Sequence, residues 1–269
     1  MSWATHTIER IGDRVVHASR AMFELWLVYV GTIAGIWRGF SRQSRPRGEV
    51  VRQMYAIGNR SVVFIVVTLG FIGMVMAYEA CTQLTRVTGD FSQVGTNFAR
   101  LIVSDFGPTL TAMMLATRVG AGIAAEIGSM KVTEQIDALR MSGVLPIDYL
   151  IVPRFTASVV MTVMLSMLGS IVMYGAGGLT AQYTFGVNPH VFFDLQLLRY
   201  RHLIVMLCKS IAYGAAIPVI AGFCGLRARG SSEGVGWATT RAVIGSSFAV
   251  IILDFVISAA ALFITGGDL

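Results

Sequence analysis

The sequence is poor in charge, because Asp, Glu, Lys and Arg make up only 13% of its 269 residues, against about 25% in ordinary soluble domains. Hydrophobic residues make up 55%, and they fall in long uncharged runs instead of alternating with polar residues. A soluble fold of this length could not bury so much apolar surface. The composition therefore predicts a membrane protein that crosses the bilayer several times as α-helices.

Several motifs that would indicate an enzyme are missing. The sequence contains no GxxxxGKS/T loop, so the chain is not expected to bind and hydrolyse ATP in the manner of P-loop proteins. No HExxH or GxSxG motif lies within a long apolar run, and the three cysteines are widely spaced without a CxxC pair. We therefore predict that the chain is not an enzyme and that it binds neither a metal nor a cofactor of its own.

Acidic residues are also fewer than basic ones, with 15 Asp and Glu against 21 Lys and Arg. A net charge of +6 can indicate nucleic-acid binding, but the sequence has no basic face interleaved with aromatic residues. The basic residues instead border the apolar runs, as expected of loops on the cytoplasmic side of a membrane. The charge therefore predicts membrane topology and no nucleic-acid partner.

Five apolar runs are long enough to cross the bilayer, since about 20 helical residues span its ~30 Å hydrocarbon core. These predicted spans are residues 61–80, 101–127, 155–185, 203–226 and 242–265. Charges interrupt three of them: Asp105 and Arg118 in the second, Lys209 in the fourth and Asp254 in the fifth. We predict an all-α membrane domain of five spans over residues 61–269.

A shorter apolar segment, residues 21–37, precedes the first span. Basic residues flank it on both sides, so a crossing there would leave a basic cluster outside the cell. We therefore interpret residues 1–60 as a cytoplasmic region whose helix lies in the membrane interface, with a sixth span as the alternative. Most of the Lys and Arg residues then lie inside, which predicts a cytoplasmic N-terminus and places the C-terminal Leu269 outside.

The loop between spans two and three contains a short amphipathic pattern over residues 130–143. Its apolar residues Val132, Ile136 and Leu139 recur at three- and four-residue spacing, and Gly143 provides a stop. This predicts a short helix on the cytoplasmic side. It could dock on a partner protein or serve as a connector that lies on the headgroups, and the pattern favours neither.

Charged residues inside a membrane are costly, and they usually mark a functional site or a specific ion pair. Arg118, Lys209 and Asp254 are the three candidates. We expect Asp254 to pair with one of the two cations, although the sequence does not select which one. Lys209 lies near the outer end of its span, so it could instead extend its ammonium group to the interface.

The segment RVGAGIAAEIGSMKVTEQIDALR, from Arg118 to Arg140, closely resembles the signature of the MlaE-type permease family. VRQMYAIGNRSV before the first span and ATTRAVIGSSFAVIILDFVISA in the last one fit the same pattern, so the resemblance extends from Val50 to Leu262. Members of this family are membrane subunits of lipid-handling ABC transporters that work with MCE-domain proteins. The resemblance therefore implies a transport permease in the bacterial cytoplasmic membrane.

The resemblance also implies partners. The chain would form a homodimer around an outward-facing cavity for phospholipid, with an MCE-domain protein on the outer face and, in addition, a small STAS-like subunit. ATP and Mg would be bound by a separate ATPase subunit. The cytoplasmic helix would dock on this subunit through Glu134, Gln135, Asp137, Leu139 and Arg140.

We hypothesise that spans one and two of the two copies enclose the lipid. The proposed walls and rim are Phe71, Val75, Tyr78, Glu79, Asp105 and Leu110. Where family members read LRELGP, this chain reads VSDFGP, so the arginine before the acid is replaced by Ser104. The alternative to an ATP-driven permease is a stand-alone secondary carrier or a membrane scaffold. A carrier usually shows internal repeats, and the two halves of this sequence show none.

Overall fold

The computed structural model describes residues 23–35, 47–87, 94–194 and 198–265. Within these ranges the chain is almost entirely helical and contains no β-strand. The helices are α1 Phe23–Gly35, α2 Arg47–Val87, α3 Val94–Leu101, α4 Gly107–Leu115, α5 Ala121–Val132, α6 Gln135–Met141, α7 Val152–Phe185, α8 Pro189–Phe192, α9 Tyr200–Leu226 and α10 Ser232–Thr265. The prediction of an all-α fold is confirmed.

The described chain contains three π-helical turns, each of which continues directly into the α-helix that follows it. Ile102–Phe106 joins α3 to α4, Ala116–Gly120 joins α4 to α5, and Ile147–Ile151 leads into α7. Each of these wide turns carries one charged residue, namely Asp105, Arg118 and Asp148 respectively. π-Turns within helices are rare and occur frequently at functional sites.

Five helical segments of the described chain are long and apolar enough to cross a membrane. They are Gly48–Arg86, Val94–Val132, Ile147–Phe185, Tyr200–Leu226 and Ser232–Ile264. The five predicted spans are confirmed, but all except the fourth extend well beyond the predicted limits. Charged residues mark where the hydrocarbon ends and do not stop a helix, because the backbone hydrogen bonds continue into the polar region.

The described part of the apolar segment before the first span forms α1, whose described residues alone are too few to cross the hydrocarbon core. A short N-terminal helix is therefore confirmed within residues 23–35, whereas residues 1–22 and 36–46 lie outside the described part of the chain. Glu24 binds Arg227 at the end of α9, with 2.6 Å between Oε2 and Nη2. A Cβ atom added at Gly31 would lie 3.7 Å from Ile147, so α1 packs beside the start of the third span.

The first and third spans cross closely because small residues lie at their contact. A Cβ atom added at Gly73 of α2 would lie 2.2 Å from the carbonyl oxygen of Met173 on α7, which is far inside contact distance. Gly169 of α7 similarly faces Leu69 and Thr111. Glycine at such positions lets two membrane helices approach until their backbones touch.

The fourth span forms the centre of the domain and the fifth its periphery. In the most apolar part of Tyr200–Leu226, 56% of the residues are buried, whereas in the corresponding part of Ser232–Ile264 only 6% are buried. Large side chains on α10, among them Phe248, Phe255 and Phe263, are exposed. The outer face of α10 is therefore available to lipid or to another protein.

The loop helix is shorter than its amphipathic pattern suggests. Residues 130–132 are the end of α5, and the chain then turns at Glu134, which has a φ of 61° in the left-handed region, before α6 begins. Gly143 has a φ of 77° and ends the segment as predicted, since its amide donates to the carbonyl of Arg140. The side chain of Ile136 is fully buried and attaches α6 to the membrane domain.

Candidate functional site

The fourth span carries a lysine that is entirely enclosed. The Lys209 side chain has no exposed surface, and its Nζ lies 2.8 Å from Oδ1 of Asp254 on α10. The same ammonium group donates to Oδ1 of Asp105, in the first π-turn of the second span. The structure therefore selects Lys209 as the partner of Asp254. The alternative that Lys209 reaches the interface is wrong, because two carboxylates from neighbouring helices hold its ammonium group inside the protein.

Two hydroxyl groups complete this charge cluster, which comprises Asp105, Thr109, Lys209, Tyr213 and Asp254. Tyr213 Oη donates to Asp254 Oδ1 at 2.7 Å, and Thr109 Oγ1 donates to the same oxygen at 3.0 Å. Tyr213 is fully buried. Such a network supplies the carboxylate of Asp254 with three donors, and it joins spans two, four and five into one unit.

Asp105 differs from Asp254 because its side chain is 45% exposed. It lines a cavity of about 430 Å³ between the beginning of the second span and the adjoining ends of α9 and α10, which we call the outer pocket after the orientation that the sequence predicts. The polar lining includes Arg100, Ser104 and His202, and the apolar lining includes Leu101, Val205 and Leu262. A cleft of this size with mostly apolar walls and a few polar groups is typical of a small-molecule site.

The residue that replaces the family arginine takes part in this pocket. Ser104 is buried, and its Oγ lies 3.0 Å from Nδ1 of His202, which is also buried. A hydrogen-bonded Ser104–His202 pair therefore lies beside Asp105, and Arg100, one turn earlier, is a cation of the lining. The pocket thus combines an arginine, an acid, a serine and a histidine.

The proposed wall residues on α2 lie in an exposed apolar stripe. Phe71, Val75 and Tyr78 are 65%, 67% and 50% exposed. Glu79, at the end of this stripe, is exposed and accepts a hydrogen bond from Gln83 at 2.8 Å, while Leu110 of α4 is half-buried. Asp105 lies in the outer pocket, whose described lining includes no residue of α2. The six residues therefore remain a prediction as a single cavity.

Arg118 does not belong to the charge cluster. It sits in the π-turn Ala116–Gly120, and its Nη1 donates to Oγ of Ser61 on α2. Together with Arg60 and Glu126 it lines a second cavity of about 260 Å³ between α2 and the second span. Of the three intramembrane charges, the structure thus brings Lys209 and Asp254 together and leaves Arg118 apart.

A further ion pair joins the second and third spans near the loop. Arg154 of α7 is buried, and its Nη2 lies 2.8 Å from Oε1 of Glu126 on α5. Its Nη1 donates to the carbonyl of Leu150 at 2.8 Å. This pair fixes the end of α5, from which the loop helix follows.

The loop helix presents a charged surface. Glu134, Gln135 and Arg140 are exposed, whereas Asp137 and Leu139 are partly covered. Asp137 accepts from Lys131 Nζ at 2.9 Å and lies 3.4 Å from Arg140 Nη1. The hydrogen bond from Lys131 holds the pKa of the Asp137 carboxyl below its ordinary value, and the positive charges of both partners contribute in the same direction. The predicted docking residues thus comprise Glu134, immediately before α6, and four residues of α6, but a partner that binds them remains a prediction.

Sequence reasoning missed Thr109, Tyr213, Arg100 and His202. A signal was present for two of them, because Thr109 follows Asp105 by four residues and Tyr213 follows Lys209 by four, so each lies one turn from a charge that needs partners. No comparable signal marks Arg100 or His202, which lie at the ends of spans, where basic residues are common.

Comparison with known proteins identifies the family. Residues 50–260 match the family described as Permease MlaE, which includes all of the five spans except their outermost residues. A probable ABC transporter permease protein of Synechocystis is 34% identical over 214 residues, which cover 79% of this chain and 81% of the relative.

Two relatives carry more specific names. The intermembrane phospholipid transport system permease protein MlaE of Haemophilus influenzae is 31% identical over 255 residues, or 94% of this chain and 96% of the relative. The chloroplastic protein TRIGALACTOSYLDIACYLGLYCEROL 1 of Arabidopsis thaliana is 32% identical over 212 residues, or 78% of this chain and 60% of the relative. By the extent of these matches, this multi-pass membrane protein belongs to the MlaE permease family.

Proposed function

We propose that this chain is the membrane subunit of an ATP-driven phospholipid transporter of the bacterial inner membrane. The observation that carries this proposal is the family match across residues 50–260, which includes the five spans and the loop helix α6. A relative that covers 94% of this chain is named as a permease of an intermembrane phospholipid transport system. Two copies of the chain would work with a separate ATPase, an MCE-domain protein and a small STAS-like subunit.

The exposed stripe of α2 supplies the apolar surface that acyl chains require. Phe71, Val75 and Tyr78 recur at four- and three-residue spacing along one face of the helix, and each is at least half exposed. In a single chain this face is open, so a second copy would be needed to enclose it. Apolar walls would then hold the acyl chains, and polar groups at the rim would meet the headgroup.

The charge cluster suits the rim of such a cavity. Lys209 neutralises one carboxylate charge, so the two acids and one lysine leave a net negative charge. Asp254 is held by three donors, whereas part of the Asp105 side chain is exposed to the outer pocket. Asp105 is therefore the member of the cluster that can contact a headgroup, and Lys209 positions it.

The loop helix gives the proposed ATPase a mechanical connection to this rim. The helical path Val94–Val132 runs from the outer pocket to the loop, with Asp105 near one end and Lys131 near the other. Because Lys131 binds Asp137 of α6, a displacement of α6 would act directly on the end of this path. Closure of ATP-bound partner subunits would thereby change the shape of the cavity and move the lipid.

A stand-alone carrier is the second candidate, and the buried Lys209–Asp254 pair is the observation that favours it. Ionisable residues within a bundle form proton relays in many secondary transporters. Such a carrier would function without an ATPase, so the partners distinguish the two functions.

Affinity purification from the native membrane in mild detergent, followed by mass spectrometry of proteins and lipids, tests the proposal. Recovery of a P-loop ATPase, an MCE-domain protein and enriched phospholipid is the expected result. Recovery of the chain with bulk lipid alone, under conditions that preserve a known ABC complex from the same membrane, would contradict it and favour the carrier.

A further inference from the structure

The second cavity, between α2 and the second span, contains more positive than negative charge. Arg60 and Arg118 line it together with one acid, Glu126. The carboxylate of Glu126 is engaged by Arg154 at 2.8 Å. Within the described residues, neither Arg60 nor Arg118 forms an ion pair with a carboxylate. Two guanidinium groups thus face one space whose single carboxylate is already paired with a third arginine, Arg154.

The contacts of Arg118 do not balance its charge. Its Nη1 donates to Oγ of Ser61, a neutral group that itself donates to the carbonyl of Ile57 at 2.5 Å. Arg60 is exposed and could extend to the interface by itself, but Arg118 is partly covered and is held by Ser61. An unpaired cation at such a position is costly in a membrane.

The local backbone points to a specific role for Arg118. The residue lies in the π-turn Ala116–Gly120, and an uninterrupted α-helix would turn its side chain in another direction. Guanidinium groups bind phosphate through two parallel hydrogen bonds, which is why arginine is favoured where anions are recognised. A cavity of about 260 Å³ accommodates a phosphate group and part of its substituent.

We propose that Arg60 and Arg118 form a binding site for the phosphate of an anionic phospholipid headgroup, separate from the outer pocket. The phosphate would supply the counter-charge that the described protein lacks there. A net-negative headgroup fits better than a zwitterionic one, because an ammonium group would meet two guanidinium groups. The site requires only that the chain lies in a bilayer, so it goes beyond the proposed transport function.

Lipid binding to the purified full-length chain, measured by native mass spectrometry, tests this inference without reference to transport. The probes are phosphatidylglycerol, phosphatidylcholine and inorganic phosphate, and the variants are Arg60→Gln, Arg118→Gln and Arg118→Lys. We expect the wild-type chain to prefer phosphatidylglycerol. Each Gln variant should weaken this binding by about tenfold, as the loss of a charge-assisted hydrogen bond does, while phosphatidylcholine binding stays unchanged.

Arg86→Gln is the matched control, because it removes an exposed arginine from the other end of α2. Arg118→Lys keeps the positive charge and should retain more phosphatidylglycerol binding than Arg118→Gln. Arg60→Gln changes an exposed residue and therefore leaves the packing of the helices undisturbed. Competition by inorganic phosphate would support a phosphate site open to water, and no competition would support a site reached only from the lipid. Equal binding by wild type and both Gln variants, an equal loss in Arg86→Gln, or loss of a dimer instead of lipid would overturn the inference.

Discussion

At the scale of the residue, the burial of Lys209 is the feature with the largest energetic consequence. Its ammonium group has two carboxylate partners, and one of these, Asp254, receives two further hydroxyl donors. Removal of one member of a buried ion pair leaves an uncompensated charge, which costs more than the pair itself contributes. The cluster is therefore expected to be sensitive to single substitutions and tolerant of balanced ones.

The substitution Lys209→Met should lower the free energy of unfolding by about 3–5 kcal/mol, because it removes the buried cation that Asp105 and Asp254 both bind. Adding Asp254→Asn should restore part of this loss. Thermal unfolding of the purified chain in detergent measures both effects. Lys131→Met, which removes a partly exposed lysine from an ion pair in the loop, is the control and should have a small effect. Equal losses of stability in Lys131→Met and Lys209→Met would contradict the assignment of Lys209 to a buried ion pair.

Asp137 provides a pH dependence outside the membrane. The hydrogen bond from Lys131 lowers the pKa of the Asp137 carboxyl from its ordinary value of 3.8. The Lys131–Asp137 pair therefore stabilises α6 fully at pH values above 3.8, where the carboxyl is ionised in the folded and in the unfolded chain. This contribution is lost as the pH falls through the lowered pKa of the folded state. The protection of the α6 amides against hydrogen exchange, corrected for the intrinsic pH dependence of exchange, should therefore fall below about pH 4. In the Asp137→Asn variant, the α6 amides should be less protected from exchange at neutral pH, and their protection should depend less on pH. If the variant kept the wild-type pH profile, the Lys131–Asp137 pair would be excluded as the origin of the pH dependence.

At the scale of the element, the sequence predicts the spans well and their irregularities poorly. The five apolar runs identify the helices, because each must satisfy its backbone hydrogen bonds internally within the bilayer. Helix ends such as Arg47 and Val94 lie beyond the apolar runs, and no periodic signal marks them. The π-turns at Asp105 and Arg118 are likewise invisible in the sequence, since a one-residue widening depends on tertiary packing.

The crossing of α2 and α7 gives a direct test of packing at this scale. Gly73→Ala would place a methyl group against the carbonyl of Met173, and the required backbone shift should lower the free energy of unfolding by about 1–3 kcal/mol. Gly175→Ala, on α7, meets no atom within 4 Å and should be neutral or slightly stabilising. Thermal unfolding of the two variants side by side compares them. Equal stabilities would show that the spans do not meet at Gly73.

The loop helix α6 can be tested as the docking element. Glu134→Lys together with Asp137→Lys reverses one charge immediately before α6 and one within it, and should reduce co-purification of the ATPase by at least tenfold, as expected when like charges meet across an interface. Glu233→Lys, which reverses an exposed acid in the first turn of α10, is the control and should retain the ATPase. Full retention by the double variant would exclude this docking surface.

At the scale of the whole molecule, the central α9 packs against the second, third and fifth spans, and two cavities with charged residues in their linings adjoin the continuous path Val94–Val132. The family resemblance in the sequence predicted the membership that the comparisons show, over nearly the same residues. It could not predict which cation pairs with Asp254, because partner choice depends on how spans two, four and five are arranged. The exposed faces of α2 and α10 are the surfaces on which a second copy or lipid would lie.

We expect this chain, as proposed, to move phospholipid when a separate ATPase hydrolyses ATP, and reconstitution tests this most directly. The purified complex is placed in liposomes that contain a fluorescent phospholipid, and the movement of this lipid is followed with and without ATP. We expect movement that requires ATP and that is lost in the Glu134→Lys, Asp137→Lys double variant. Equal movement by the chain alone, without the ATPase, would contradict the proposed function.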